Sequence, residues 1–227
     1  MESQQTNTLN HSSERAGVLG KGRIENLADG VFSIAMTLLI LEVRVPDIPD
    51  HTETWELVKQ LLAVWPKFLS YCISFVVLGV YWVGHHNQFH HVRHTDRPLL
   101  WINILYLMSI SFLPFSAALL GTYNTQQVAV VIYGFHLTGI GLISYWHWAY
   151  AWHHHLLDAN LDPRVYRFTM WRILTGPILS VLAICLSFVS LTLSVSVYIL
   201  LLLVYILPSR LDHRFGLGRR PASLSSE

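Results

Sequence analysis

Two sets of side chains in this chain have types and spacings that could act on something. The first is a stripe near the N-terminus. At 100° per residue, Gly30, Ile34, Thr37, Leu38, Leu41 and Val45 fall within one arc of about 100°, with Ser33 at its edge. Copies of such a helix meeting at an axis would stack rings of Ile, Thr and Leu. An apolar constriction beside a hydroxyl layer can pass ions while resisting hydration, and can gate by dewetting. The same periodicity also suits an ordinary packing stripe. The second set is histidine, present in 13 copies. It is densest at His85, His86, His90, His91 and His94, and again at His153–His155. His86-Asn-Gln-Phe-His90-His91 has the H-x-x-x-H-H spacing of membrane di-iron desaturases and hydroxylases, where neutral imidazoles at helical spacing bind metal. Those enzymes carry three or more separated boxes on longer chains, and no carboxylate is convincingly placed here. Interfacial histidine in short loops is the plainer reading, with a regulatory proton or zinc site beside it. The chain has no Walker loop, nucleophile elbow or GYG-type filter. No catalytic residue, resident metal or cofactor is expected.

The elements that must position these residues are helices in lipid. The chain has 227 residues, 52% hydrophobic and 13% charged, against about 25% charged for a soluble domain. The fold class expected is an all-α integral membrane protein. A single membrane domain over 21–208 lies between polar tails, 1–20 and 209–227, both expected to be disordered. No secretory h-region stands in residues 1–22. The net charge of +1 gives no reason to expect nucleic acid as a partner. Cys72 and Cys185 lie in apolar runs and read as small buried hydrophobes without a disulfide.

The first helix is expected over Ile24–Val45, stopping at Pro46. Arg23, Glu25 and Asp29 open it, and its apolar core of about 12 residues is roughly 18 Å long. A lone span needs ~20 apolar residues, so other helices must surround this one. Three more helices are expected over Val64–Gly84, Pro98–Leu120 and Gln127–Trp152. The stretch Ile173–Leu207 is apolar throughout, and as one helix it would be about 52 Å long, well beyond a bilayer core.

Charge decides how that stretch folds. Arg15, Lys21, Arg23, Arg93, Arg97, Arg164, Arg167, Arg172, Arg210, Arg214, Arg219 and Arg220 share one side if it crosses twice. Only Arg44, Lys59 and Lys67 then remain on the other. The positive-inside rule makes the basic side, with both termini, cytoplasmic. Ser187, Ser190, Thr192, Ser194 and Ser196 mark the turn, giving six transmembrane helices. Trp and Tyr near the span ends, among them Trp55, Trp65, Trp101 and Trp152, read as an aromatic belt.

The first helix also resembles a known family. Arg23-Ile-Glu-Asn-Leu27-Ala28-Asp29 is similar to the Arg-x-x-x-Phe-Ser-Asp signature of the transmembrane protein 175 family of potassium channels. Gly30-Val-Phe-Ser33-Ile34-Ala-Met-Thr37-Leu38-Leu continues it. So do Tyr81-Trp82-Val-Gly-His85-His86, Arg97-Pro-Leu-Leu-Trp101-Ile-Asn103 and Phe112-Leu-Pro114-Phe-Ser, so that the likeness covers residues 23–121. The resemblance implies a six-helix subunit of the plasma membrane, assembled as a homotetramer around the first helix and passing potassium over sodium. It assigns the narrowest ring to Ile34, the hydroxyl linked to potassium preference to Thr37, and further aliphatic rings to Leu38 and Leu41. It gives Arg23 and Asp29 the role of holding the cytoplasmic end of the assembly, with Trp82, His85 and Asn103 as a supporting network. Leu27 and Ala28 depart from the signature's Phe and Ser. A His-based membrane enzyme and a small secondary transporter stand as alternatives from other functional classes.

Overall fold

The computed structural model describes residues 2–47 and 53–206. Among them seven helices follow in chain order: α1 (Glu2–Ile40), α2 (Thr54–Ala63), α3 (Trp65–His91), α4 (Arg97–Thr122), α5 (Gln127–His153), α6 (Pro163–Ser187) and α7 (Leu191–Ile206). Helices α3 to α6 are each long and apolar enough to cross a membrane. The expected C-terminal tail, with Arg210, Arg214, Arg219 and Arg220, lies outside the described residues.

Several boundaries differ from the sequence expectation. α1 starts at Glu2 rather than near Ile24. It ends at Ile40, before the expected Val45, and three i→i−3 bonds close its last turn, from Leu41, Val43 and Glu42 to Leu38, Ile40 and Leu39. β-branched Val43 and Val45 precede Pro46, which drives its predecessor into the extended region. α2 is an additional short helix between the first two helices expected from the sequence. α3 continues to His91, past Gly84, because buried His85 and Gln88 find side-chain partners that keep the polar run helical. The stretch expected as a hairpin does turn, at Phe188–Ser190, but α6 already starts at Pro163, capped by Asp162 Oδ1 accepting the Arg164 N–H at 2.8 Å. Cys72 is half-buried and Cys185 exposed, both unpaired, so Cys185 is not the buried hydrophobe its apolar neighbours suggest.

The helices form one bundle. α5 packs on α4 and α6, α7 packs on α6 and reaches α3, and α1 packs on α3 and α4. The core runs through Phe32, Leu39, Leu78, Ile110, Leu113, Tyr133, Leu137 and Tyr198. Close approach along α5 depends on two glycines seven residues apart, hence on one helix face. A Cβ at Gly141 would overlap the Pro177 ring, and one at Gly134 would press on Tyr198 Oη and Ile184. Small residues at such seams let membrane helices pack tightly.

At one end the connections α3–α4 and α5–α6 are clasped together. Val92 and Leu157 form a single antiparallel bridge, and Arg93 Nη2 donates to Asp158 Oδ2 at 2.7 Å. Gly20 of α1 stands at this end, 3.6 Å from Thr95 Oγ1 as measured from a Cβ built on it. Glu42, Lys67 and Thr122 meet at the opposite end. The Asn160 backbone N–H, and then Arg93, hold the Asp158 carboxyl below the usual carboxylate range.

Two predictions follow from this packing. Gly141→Ala should destabilise the folded protein by about 1–3 kcal/mol through overpacking. Gly139→Ala, where a Cβ meets nothing within 4 Å, should not lower stability; thermal unfolding in detergent checks both. For the clasp, a depressed folded-state pKa means that its contribution is present above the ordinary carboxylate pKa of about 4 and is lost as pH falls through the folded value. The unfolding midpoint of the wild type should therefore drop more steeply below about pH 4 than that of Asp158→Asn.

Candidate functional site

α1 presents two different faces. Ile24, Ala28, Phe32, Ala35 and Leu39, at helical spacing, are buried against the subunit's own helices. On the other side Gly30, Ser33, Ile34, Thr37 and Leu38 are all exposed, and Leu41 continues that side in the closing turn. Ile34, Leu38 and Leu41 are 61%, 42% and 63% accessible, so the stripe is apolar and meets nothing within the single chain that would cover it. An exposed apolar strip of this kind marks a surface for lipid or for another protein surface. Thr37 adds a polar atom to it. Its Oγ1 lies 2.9 Å from the Ile34 carbonyl and 3.1 Å from that of Ser33. The hydroxyl hydrogen is thus directed back along α1, and the oxygen's remaining lone-pair capacity faces away from the backbone.

The network behind α1 is divided in two. Trp82 Nε1–H donates to Asp29 Oδ1 at 2.8 Å, tying the polar start of α1's apolar half to α3. His85 instead places Nε2 2.8 Å from Asn103 Oδ1, joining α3 to α4. Asn103 therefore serves His85 and not the Asp29 end directly. Phe32 of α1 lies between these two links, with ring centroids 6.2 Å from both His85 and Tyr106. The His85 and Tyr106 rings are stacked at 5.4 Å. Among the described residues no ion pair joins Arg23 to Asp29, and Arg23 is exposed. Of the two departures from the signature, Ala28 is buried in the core and Leu27 is exposed.

Sequence reasoning missed the next layer. Gln88 Nε2 donates to Ser144 Oγ at 2.8 Å, and His147 Nδ1 lies 3.2 Å from Gln88 Oε1. His147 Nε2 is buried without a hydrogen-bond partner among the described residues. The signal that could have found this layer was Ser144 and His147, three residues apart on α5 among apolar and aromatic neighbours.

The histidines do not converge. His85 is bonded to Asn103, His86 stacks on Trp82, and His91 lies edge-on to Trp148. Among the described residues no group of three His, Cys, Asp or Glu is placed to hold a metal ion. The H-x-x-x-H-H spacing does not become a centre because His86, His90 and His91 are spread around a helix end rather than gathered between helices.

Comparison with known proteins places the chain among membrane channels. Residues 23–114 match the family model described as the endosomal/lysosomal potassium channel TMEM175. A potassium channel of Streptomyces collinus is 35% identical over 192 residues, which cover 81% of this chain and 90% of that protein. A potassium channel of Chamaesiphon minutus is 38% identical over 199 residues, covering 83% and 94%. The crystal structure of a lysosomal potassium-selective channel TMEM175 homolog from Chamaesiphon minutus superposes with a TM-score of 0.73 at 36% identity, over 82% of this chain and 96% of the other. The family is one of ion channels, not enzymes, which leaves the His-based enzyme and the transporter unfavoured. With a relative of this identity aligned over nearly its whole length, the chain belongs to the TMEM175 family of membrane channels.

Proposed function

We propose that this protein is a potassium-permeable channel of the plasma membrane, passing potassium over sodium, in which copies of α1 line the path. The observation that carries the reading is the division of α1 into a buried face and an exposed apolar face bearing Ile34, Thr37, Leu38 and Leu41. The relatives named potassium channels support it. Each subunit contributes six spans, α1 and α3 to α7, with both termini cytoplasmic, and four subunits close around the axis. The partition of Lys and Arg supports that orientation.

The mechanism follows from what the stripe presents. A ring of Ile34 side chains excludes water, so a passing ion loses much of its hydration there. Potassium is more weakly hydrated than sodium and meets less resistance. The Thr37 oxygen, its hydrogen turned to the α1 backbone, supplies an acceptor dipole one turn further on, replacing part of the lost shell. Leu38 and Leu41 extend the dry section, and Ser33 offers a second hydroxyl on the other flank. Arg23 and Asp29 act in assembly rather than in ion binding. Asp29 is held by Trp82, and Arg23, six residues before Asp29, is placed to reach a neighbouring subunit.

Reversal potentials in mixed potassium and sodium test the assignment. Ile34→Asn should wet the constriction, raise flux and admit sodium. Thr37→Val keeps the shape without the acceptor, so it should lower potassium preference while leaving assembly intact. Unchanged selectivity in both would remove these residues from the path. A separate prediction concerns the link behind α1. Trp82→Phe keeps the aromatic ring but loses the N–H to Asp29, and should lower the stability of the assembly by about 1 kcal/mol, the typical net contribution of one hydrogen bond. Thermal release of subunits, followed by size-exclusion chromatography, reads it.

A further inference from the structure

We propose that the buried pair Gln88 and Ser144 forms a binding site for the fatty-acyl ester carbonyl of a membrane glycerolipid. Both residues line a cleft bounded by α3, α5 and α6 that encloses about 470 Å³, within the roughly 300–1,000 Å³ of sites that hold small molecules. The α3 wall changes character along its length. Phe75, Val76, Val80 and Val83 are apolar, whereas Asn87, Gln88 and His91 are polar. From Phe75 to Gln88 the wall runs about 20 Å. An ester at the polar end therefore leaves room for an acyl chain reaching through the ~15 Å of one leaflet's hydrocarbon. Gly79 keeps the apolar part open, since a Cβ there meets nothing within 4 Å.

Hydrogen bonding selects the occupant. Gln88 and Ser144 are only 2% and 8% exposed. Gln88 Oε1 lies 3.2 Å from His147 Nδ1, which orients the amide so that Nε2 donates to Ser144 Oγ at 2.8 Å. The amide keeps a second N–H and the serine its own O–H, and among the described residues neither has an acceptor. Unmet donors at so buried a position are costly. The polar end of the cleft thus calls for a ligand atom that accepts and does not donate. An ester carbonyl oxygen is such an atom, and the acyl chain attached to it suits the apolar wall. An alcohol head brings a further donor, and an ether-linked lipid has no carbonyl to offer. Trp82 lines the same cleft and donates its indole N–H to Asp29 of α1, so the acyl chain lies against the residue that tethers α1. Binding depends on neither the orientation of the chain nor conduction.

Native mass spectrometry of the full chain in detergent, with a diacyl phosphatidylcholine or its diether analogue added, tests the site without reference to ion flux. The headgroup is the same in both lipids, so any contact it makes with Arg172, which also lines the cleft, cancels from the comparison. The diacyl lipid should be retained about fivefold better, the worth of one hydrogen bond. Gln88→Met combined with Ser144→Ala removes both donors and should bring the two lipids to equal retention. Gly79→Leu, which puts a side chain into open space, should displace both, and it keeps the test decisive if the double variant does not fold. Equal retention of the ester and ether lipids by the wild type, or retention untouched by Gly79→Leu, would overturn the site. So would a photo-cross-linker placed at Val83 that joins two copies of the chain in the membrane, because a second copy would then fill the cleft.

Discussion

The constraint on which this architecture turns is that α1 cannot stand in a bilayer by itself. Its apolar portion is short, it starts from a charged and polar stretch, and Asp29 and Gly30 directly precede the apolar run. A helix of that composition must be shielded on more than one side. The subunit supplies one side, by burying Ile24, Ala28, Phe32, Ala35 and Leu39 against its own helices. The opposite face keeps Ile34, Leu38 and Leu41 exposed. Lipid alone could cover those three, but it would also meet the Thr37 oxygen and Ser33. Copies of the same helix around a water-containing axis accommodate both the apolar rings and the hydroxyls, and the channel reading rests on that match.

The remaining helices hold α1 in position. Asp29 is tethered to α3 through Trp82, and Phe32 is lodged beside the stacked pair His85 and Tyr106, with Asn103 fixing the imidazole. These are polar groups in an apolar bundle, where an unmet donor or acceptor is costly, so each bond restricts where its helix can sit. Behind them Gly134 and Gly141 allow α5 to approach α6 and α7 closely, and the clasp of Arg93 with Asp158 ties two connections at one end. The scaffold packs against α1's buried face and leaves the opposite face uncommitted.

Much of this was legible in the sequence, because lipid leaves few options. Apolar length located the membrane helices, and the distribution of basic residues required the last apolar stretch to turn back on itself, as it does at Phe188–Ser190. The α1 stripe was legible from its period, and Trp82 and His85 from their place in a motif. What escaped was whatever depends on a partner distant in sequence. The extension of α3 to His91 needs Asn103 and Ser144 to satisfy His85 and Gln88, and nothing near residue 85 announces them. Asn103 stands in a motif as part of a network with Trp82 and His85 behind the Asp29 end, and only the relative placement of α1, α3 and α4 decides that its partner is His85. The histidine run imitated a metal motif because spacing along a chain does not say which way each ring faces around a helix end.

The most direct test of the central claim is whether α1's exposed stripe faces the conducting path. A single cysteine at Leu38, in a background lacking Cys72 and Cys185, would be exposed to a small cationic thiol reagent while potassium current is recorded from the reconstituted protein. The account predicts labelling and loss of current, with no such loss for a cysteine at Leu39 on the buried face. Labelling at Leu38 with undiminished current, or block from Leu39 instead, would contradict it and place the path elsewhere.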